Sequence, residues 1–60
     1  MAVFRPVTAD DGRTFHVNPD QVQCVEQLPD PKKSKIYFGR DDELVVDLSA
    51  EAVISAFWGS

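Results

Sequence analysis

Few residues of this chain could carry chemistry. His16 is the one side chain whose unperturbed pKa lies near neutrality, and Cys24 is the one thiol. A nucleophilic cysteine needs an electropositive neighbour to form its thiolate, and Cys24 stands among Gln23, Val25 and Glu26 with no base adjacent in sequence. It reads as a small buried hydrophobe. The hairpin between His16 and Cys24 could bring the two side chains together, which is the one route to a catalytic pair. No Ser or Cys occupies a nucleophile-elbow context. The expectation is that the chain is not an enzyme and has no catalytic residues.

The acids Asp10-Asp11 and Asp41-Asp42-Glu43 fall in turn-forming stretches, where carboxylates serve turn chemistry and solubility. A calcium loop spreads its ligands over about twelve residues with a closing Glu, and neither stretch has that spacing. One Cys and one His cannot assemble the usual zinc clusters. Gly12 and Gly39 are isolated, so no glycine loop cradles a phosphate. No metal and no cofactor are expected.

Charge is more informative in its distribution than in its sum. Ten acids against six bases give a formal net charge of -4, which opposes generic binding to duplex nucleic acid. Lys32, Lys33, Lys35 and Arg40 nevertheless cluster before the acids Asp41, Asp42, Glu43, Asp47 and Glu51. With Tyr37 interleaved, Lys32, Lys33, Lys35 and Arg40 form a candidate anion-binding set for a nucleotide or other small anion, since bases and an aromatic together can pair with phosphate and stack. The same residues also suit a half-buried hairpin with solvated lysines.

These residues must be positioned by short elements. Strand patterns run over about 2–8, 13–17, 21–28, 34–38 and 44–48, separated by Asp10-Asp11-Gly12, Asn18-Pro19-Asp20, Pro29-Asp30-Pro31 and Gly39-Arg40-Asp41-Asp42-Glu43. Pro6 cannot donate to a ladder, which predicts an edge position or a bulge for the first strand. In the third strand, alternation puts Val22, Cys24 and Leu28 on one face and Gln23, Val25 and Gln27 on the other. Ile36 and Phe38 share one face of the fourth strand, and Leu44, Val46 and Leu48 one face of the fifth. Ser49 is a candidate N-cap for a helix over 50–58, whose residues Ala50, Val53, Ile54, Phe57 and Trp58 form one stripe, with Gly59 ending it.

The reading is an α+β single domain over 1–60: an antiparallel β-meander of four or five strands, with an SH3-like half-barrel as one form of it, closed by a C-terminal amphipathic helix. A chain this short buries only about 60% of its unfolded surface. With no intrachain disulfide and no metal, self-association is the expected support. Phe57 and Trp58 point about 100° apart, so one is expected in the core and the other on a neighbouring surface. Val53, Ile54, Phe57 and Trp58 are therefore the candidate oligomer or partner interface. The first six residues are too short and interrupted for a signal peptide, and no apolar run reaches the roughly 18 residues that span a bilayer. A cytoplasmic protein of bacterial or phage origin, with no membrane partner, is the expectation.

One resemblance adds to this. The run Phe15-His16-Val17-Asn18-Pro19-Asp20-Gln21-Val22-Gln23-Cys24-Val25-Glu26 resembles an early segment of the small bacterial flagellum-associated proteins of the FlbD/SwrD type. Ile36-Tyr37-Phe38-Gly39, then Leu44-Val45-Val46, then Ser49 opening a helix with Val53 and Ile54, are similar to that family's later strands and capped helix. The Pro29-Asp30-Pro31 loop, the acidic Asp41-Asp42-Glu43 turn and the aromatic helix end depart from it. The resemblance implies a small non-catalytic accessory protein acting through protein contacts, and it transfers no catalytic residue. Function is thus expected to be that of a protein-interaction or regulatory module forming a homo-oligomer, with a small-anion or nucleotide-binding accessory protein, such as a phage-type inhibitor or signal-sequestering protein, as the alternative.

Overall fold

The computed structural model describes residues 3–59. Its first hairpin is set by the expected turn. Gly12 has φ +91°, a conformation open to glycine at little cost, its N–H donates to the Ala9 carbonyl at 3.0 Å, and the Ala9 N–H donates to the Arg13 carbonyl at 2.8 Å. Asp11 fixes the turn further by accepting from the Arg13 N–H at 3.0 Å and its Nε at 2.7 Å. These bonds join β1 (Arg5–Thr8) to β2 (Thr14–Val17) antiparallel, with Val7 opposite Phe15 and Pro6 opposite His16. Hydrogen-bonded and non-bonded pairs alternate along such a ladder, so counting back from Ala9 and Arg13 puts Pro6 in a non-bonded pair. That is how the strand tolerates a proline. The expected first strand began at Ala2, which lies outside the described residues, and Val3 and Phe4 precede the observed strand.

A short 3-10 turn, Pro19–Gln21, follows, with the Asn18 side chain accepting from the Asp20 N–H at 3.0 Å. It takes Gln21 out of the expected third strand, so β3 spans only Cys24–Gln27. β4 (Ser34–Gly39) and β5 (Asp42–Val46) complete a three-stranded sheet in the order β3-β4-β5, with a register shift between Tyr37 and Gly39. Val25 stands opposite Ile36 and Cys24 opposite Tyr37. This corrects the expected facing of β3: Val25 packs toward the core, Cys24 and Glu26 turn outward, and Cys24 is an exposed free thiol rather than a buried hydrophobe. The 3-10 turn is the reason. Val22 reaches the core from outside the strand, so alternation counted through it is out of phase by one.

The two sheets meet at one narrow seam. Ala9 and Val46 form an isolated bridge, flanked by Asp10 N–H to the Val45 carbonyl at 3.1 Å and Asp47 N–H to the Thr8 carbonyl at 2.9 Å. Both seam side chains are buried. The strands therefore follow one another as β2-β1-β5-β4-β3, an antiparallel arrangement left open between β2 and β3.

The helix α1 (Ala50–Trp58) covers the core of Val7, Val17, Ile36, Val46, Val53 and Phe57. Ser49 caps it as expected, its Oγ accepting from the Ala52 N–H at 3.1 Å. A second tie was not legible in advance. The Gln27 Oε1 accepts from the Ala50 N–H at 2.8 Å while its Nε2 lies 2.9–3.2 Å from the carbonyls of Leu28, Asp30 and Lys33. One amide thus supplies the first-turn Ala50 N–H with an acceptor and ties the helix start to the β3-β4 loop, where the Asp30 and Lys33 carbonyls also accept from the backbone N–H groups of Lys33 and Leu28. Gln27→Ala is expected to lower stability by roughly 1–2 kcal/mol in chemical denaturation. Ser34 is fully buried on the core face and its Oγ has no hydrogen-bond partner. A buried hydroxyl without a partner keeps its desolvation cost, so Ser34→Ala should raise stability by on the order of 1 kcal/mol, read as a higher midpoint in the same titration.

Candidate functional site

Burial divides the helical stripe. Val53 and Phe57, four residues apart and so about 40° apart around the axis, point into the core. Ile54 and Trp58 have the same spacing one position on, and each is 50% exposed. Of the four candidate interface residues, Val53 and Phe57 are thus committed inside the protomer and only Ile54 and Trp58 are accessible. The expectation that Phe57 and Trp58 part company matches this burial. Their rings meet edge to face, 5.5 Å between centroids, so the Phe57 ring in the core props the indole at the surface. Val3 is also largely exposed and lines a recess of about 140 Å³ with Trp58, Phe57 and Pro19, and Phe4 next to it in sequence is exposed as well.

The basic set is spread along β4. Lys32 and Arg40 stand beyond its two ends, about 25 Å apart at the rise of an extended chain, so no small anion reaches both. Lys33 Nζ lies 2.7 Å from Asp47 Oδ1, and that hydrogen bond holds the lysine above its ordinary pKa. Lys35 Nζ lies 3.7 Å from Glu43 Oε1 and 5.9 Å from the centre of the Tyr37 ring. Tyr37 donates its hydroxyl to Glu26 Oε1 at 2.6 Å. On the outer sheet face, then, Lys33, Lys35 and Tyr37 are already engaged by carboxylates, while among the described residues Lys32 and Arg40 form no ion pair.

His16 and Cys24 are not brought together as a pair. His16 sits in β2 beside the cleft described next, Cys24 lies on the outer face of β3 opposite Tyr37, and no hydrogen bond joins them. Among the described residues no three His, Cys, Asp or Glu side chains converge to hold a metal, and no helix is long and apolar enough to cross a membrane.

One feature escaped the sequence reading. A cleft of about 370 Å³ opens where the two sheets splay apart beyond the seam, walled by Phe15, His16 and Val17 of β2 and by Phe38, Asp42, Glu43 and Leu44 of the β4-β5 hairpin. Arg13 lies over the Phe15 ring, 5.1 Å from its centre. Phe15, Phe38 and Leu44 are only half-buried and give the cleft its apolar surface, while His16, Asn18, Gln21, Asp42 and Glu43 add polar groups to its lining. No signal in the sequence pairs Phe15 with Phe38, because the juxtaposition arises from the angle between two sheets. No family model matches the chain, and neither a curated protein nor a solved structure matches it.

Tyr37, the sole tyrosine, is pushed up to about 12, first by its hydrogen bond to Glu26, then by desolvation and the surrounding carboxylates. A folded-state pKa raised above the unfolded value favours the fold below about pH 10, and that contribution fades as pH climbs toward about 12. Spectrophotometric titration should find the tyrosinate midpoint near 12 in the folded protein, and Glu26→Gln should move it down toward the ordinary value.

Proposed function

We propose that this chain is a small non-catalytic interaction module that works as a homo-oligomer in the cytoplasm, through the outer face of α1. The observation that carries the reading is the half-exposure of both Ile54 and Trp58, side by side on a helix whose other face is buried. A tryptophan held open by an edge-on phenylalanine has the rigidity and amphipathic surface that make good interface anchors. The exposed Val3 beside Trp58 enlarges the apolar surface toward the start of the chain. The buried core among the described residues is small, and burial against a second copy would add stability by mass action. The resemblance to the FlbD/SwrD-type flagellum-associated proteins favours an accessory role of this kind, acting by contact with other proteins rather than by chemistry.

The engagement of Lys33 and Lys35 by Asp47 and Glu43 makes the anion-binding alternative the weaker reading. Light scattering and native mass spectrometry should find a dimer or higher species whose population rises with concentration. Trp58→Ala should shift it toward monomer by roughly tenfold or more in dissociation constant while circular dichroism retains the native signal. A strict monomer at concentrations on the order of 1 mM would remove the proposal.

A further inference from the structure

The cleft between the two sheets lies apart from the helix surface just described, and its construction points to a second contact. Phe15, His16 and Val17 are consecutive in β2 and all line it. Alternate side chains of a strand point to opposite faces, so a cavity bordered by three in a row runs along the margin of the strand. That margin is open. Thr14 and His16 occupy the non-bonded positions opposite Thr8 and Pro6, so their N–H and C=O groups point away from β1. Among the described residues these groups have no backbone partner.

The opposite wall supplies charge. Asp42 and Glu43 line the cleft and no Lys or Arg does, while Asp41 adjoins them and Arg40 is the one base in that turn. Glu43 is partly drawn to Lys35, at 3.7 Å, and Asp42 has no ion pair among the described residues. An unpaired strand margin, apolar walls at Phe15, Phe38 and Leu44, and a carboxylate without a counter-ion together ask for an extended segment with alternating side chains.

We propose that this cleft is a strand-addition site for an extended peptide segment of another protein in which basic residues alternate with apolar ones. The partner's backbone pairs with Thr14 and His16, its apolar side chains enter between Phe15 and Phe38, and a Lys or Arg meets Asp42. A second copy of this chain fits poorly. Its edge strands β2 and β3 carry no Lys or Arg, and each copy brings a net charge of -4.

Amide chemical shifts of the full chain, titrated with the peptide Lys-Val-Lys-Val-Lys-Val and with its Glu-for-Lys counterpart, test this directly. Saturable shifts along 14–18 and 42–44 with the basic peptide, and none with the acidic one, are expected. Asp42→Lys should weaken binding roughly tenfold or more. His16→Pro should abolish it, because proline removes the outward N–H at a position that makes no ladder bond to β1. Trp58→Ala should leave binding unchanged, which separates this site from the helix surface. The proposal fails if the basic peptide produces no shifts, if shifts gather on Ile54 and Trp58, if the acidic peptide binds equally, or if His16→Pro binds as well as the parent.

Discussion

The rest of the structure hangs on the seam at Ala9 and Val46. Two β units, a hairpin and a three-stranded meander, touch through one bridge and two flanking hydrogen bonds. So narrow a joint cannot enclose a core by sheet alone. Val7 and Val17 come from one unit and Ile36 and Val46 from the other, and α1 closes the space above them with Val53 and Phe57. Because the sheets separate on either side of the seam, the margin of β2 stays unpaired and the cleft by Phe15 and Phe38 stays open. Burial, helix placement and the cleft thus share one geometric cause.

The helix resolves a conflict between length and hydrophobic content. Nine residues cannot turn five apolar side chains toward a small sheet, since the stripe from Val53 round to Trp58 is about 140° wide. The core takes the Val53 and Phe57 side of the stripe, and Ile54 and Trp58 remain at the surface. The start of the helix is held by Ser49 and by Gln27 from β3, which reduces the freedom of that surface to tilt. An interface on a short helix gains from such anchoring, because less ordering remains to be done when a partner binds.

Much of the fold was legible from local chemistry. Ser49, the stripe and Gly59 define α1 over Ala50–Trp58, and Asp10-Asp11-Gly12 marks a turn whose positive φ at position 12 favours glycine. The period-2 run from Leu44 to Leu48 packs its Leu44, Val46 and Leu48 face inward as read. The third strand was misphased because Val22, outside the strand, still reaches the core, and alternation carries no mark of where a strand starts. Gln27 was invisible for a different reason: its four partners lie in a loop and a helix that only the tertiary fold assembles. The cleft likewise depends on the inter-sheet angle. Exposure also separates Trp58 from Phe57, and two adjacent aromatics in a sequence do not say which is which.

Native-state hydrogen exchange tests the seam most directly. With the backbones of the two sheets hydrogen-bonded only there among the described residues, the amides of Asp10 and Asp47 should exchange as slowly as those of the central strand β4, while Thr14 and His16 exchange faster by orders of magnitude in the free protein. Strong protection of Thr14 and His16 in the free monomer, or rapid exchange at Asp10 and Asp47, would mean that the two β units are joined in another way and would contradict the architecture described.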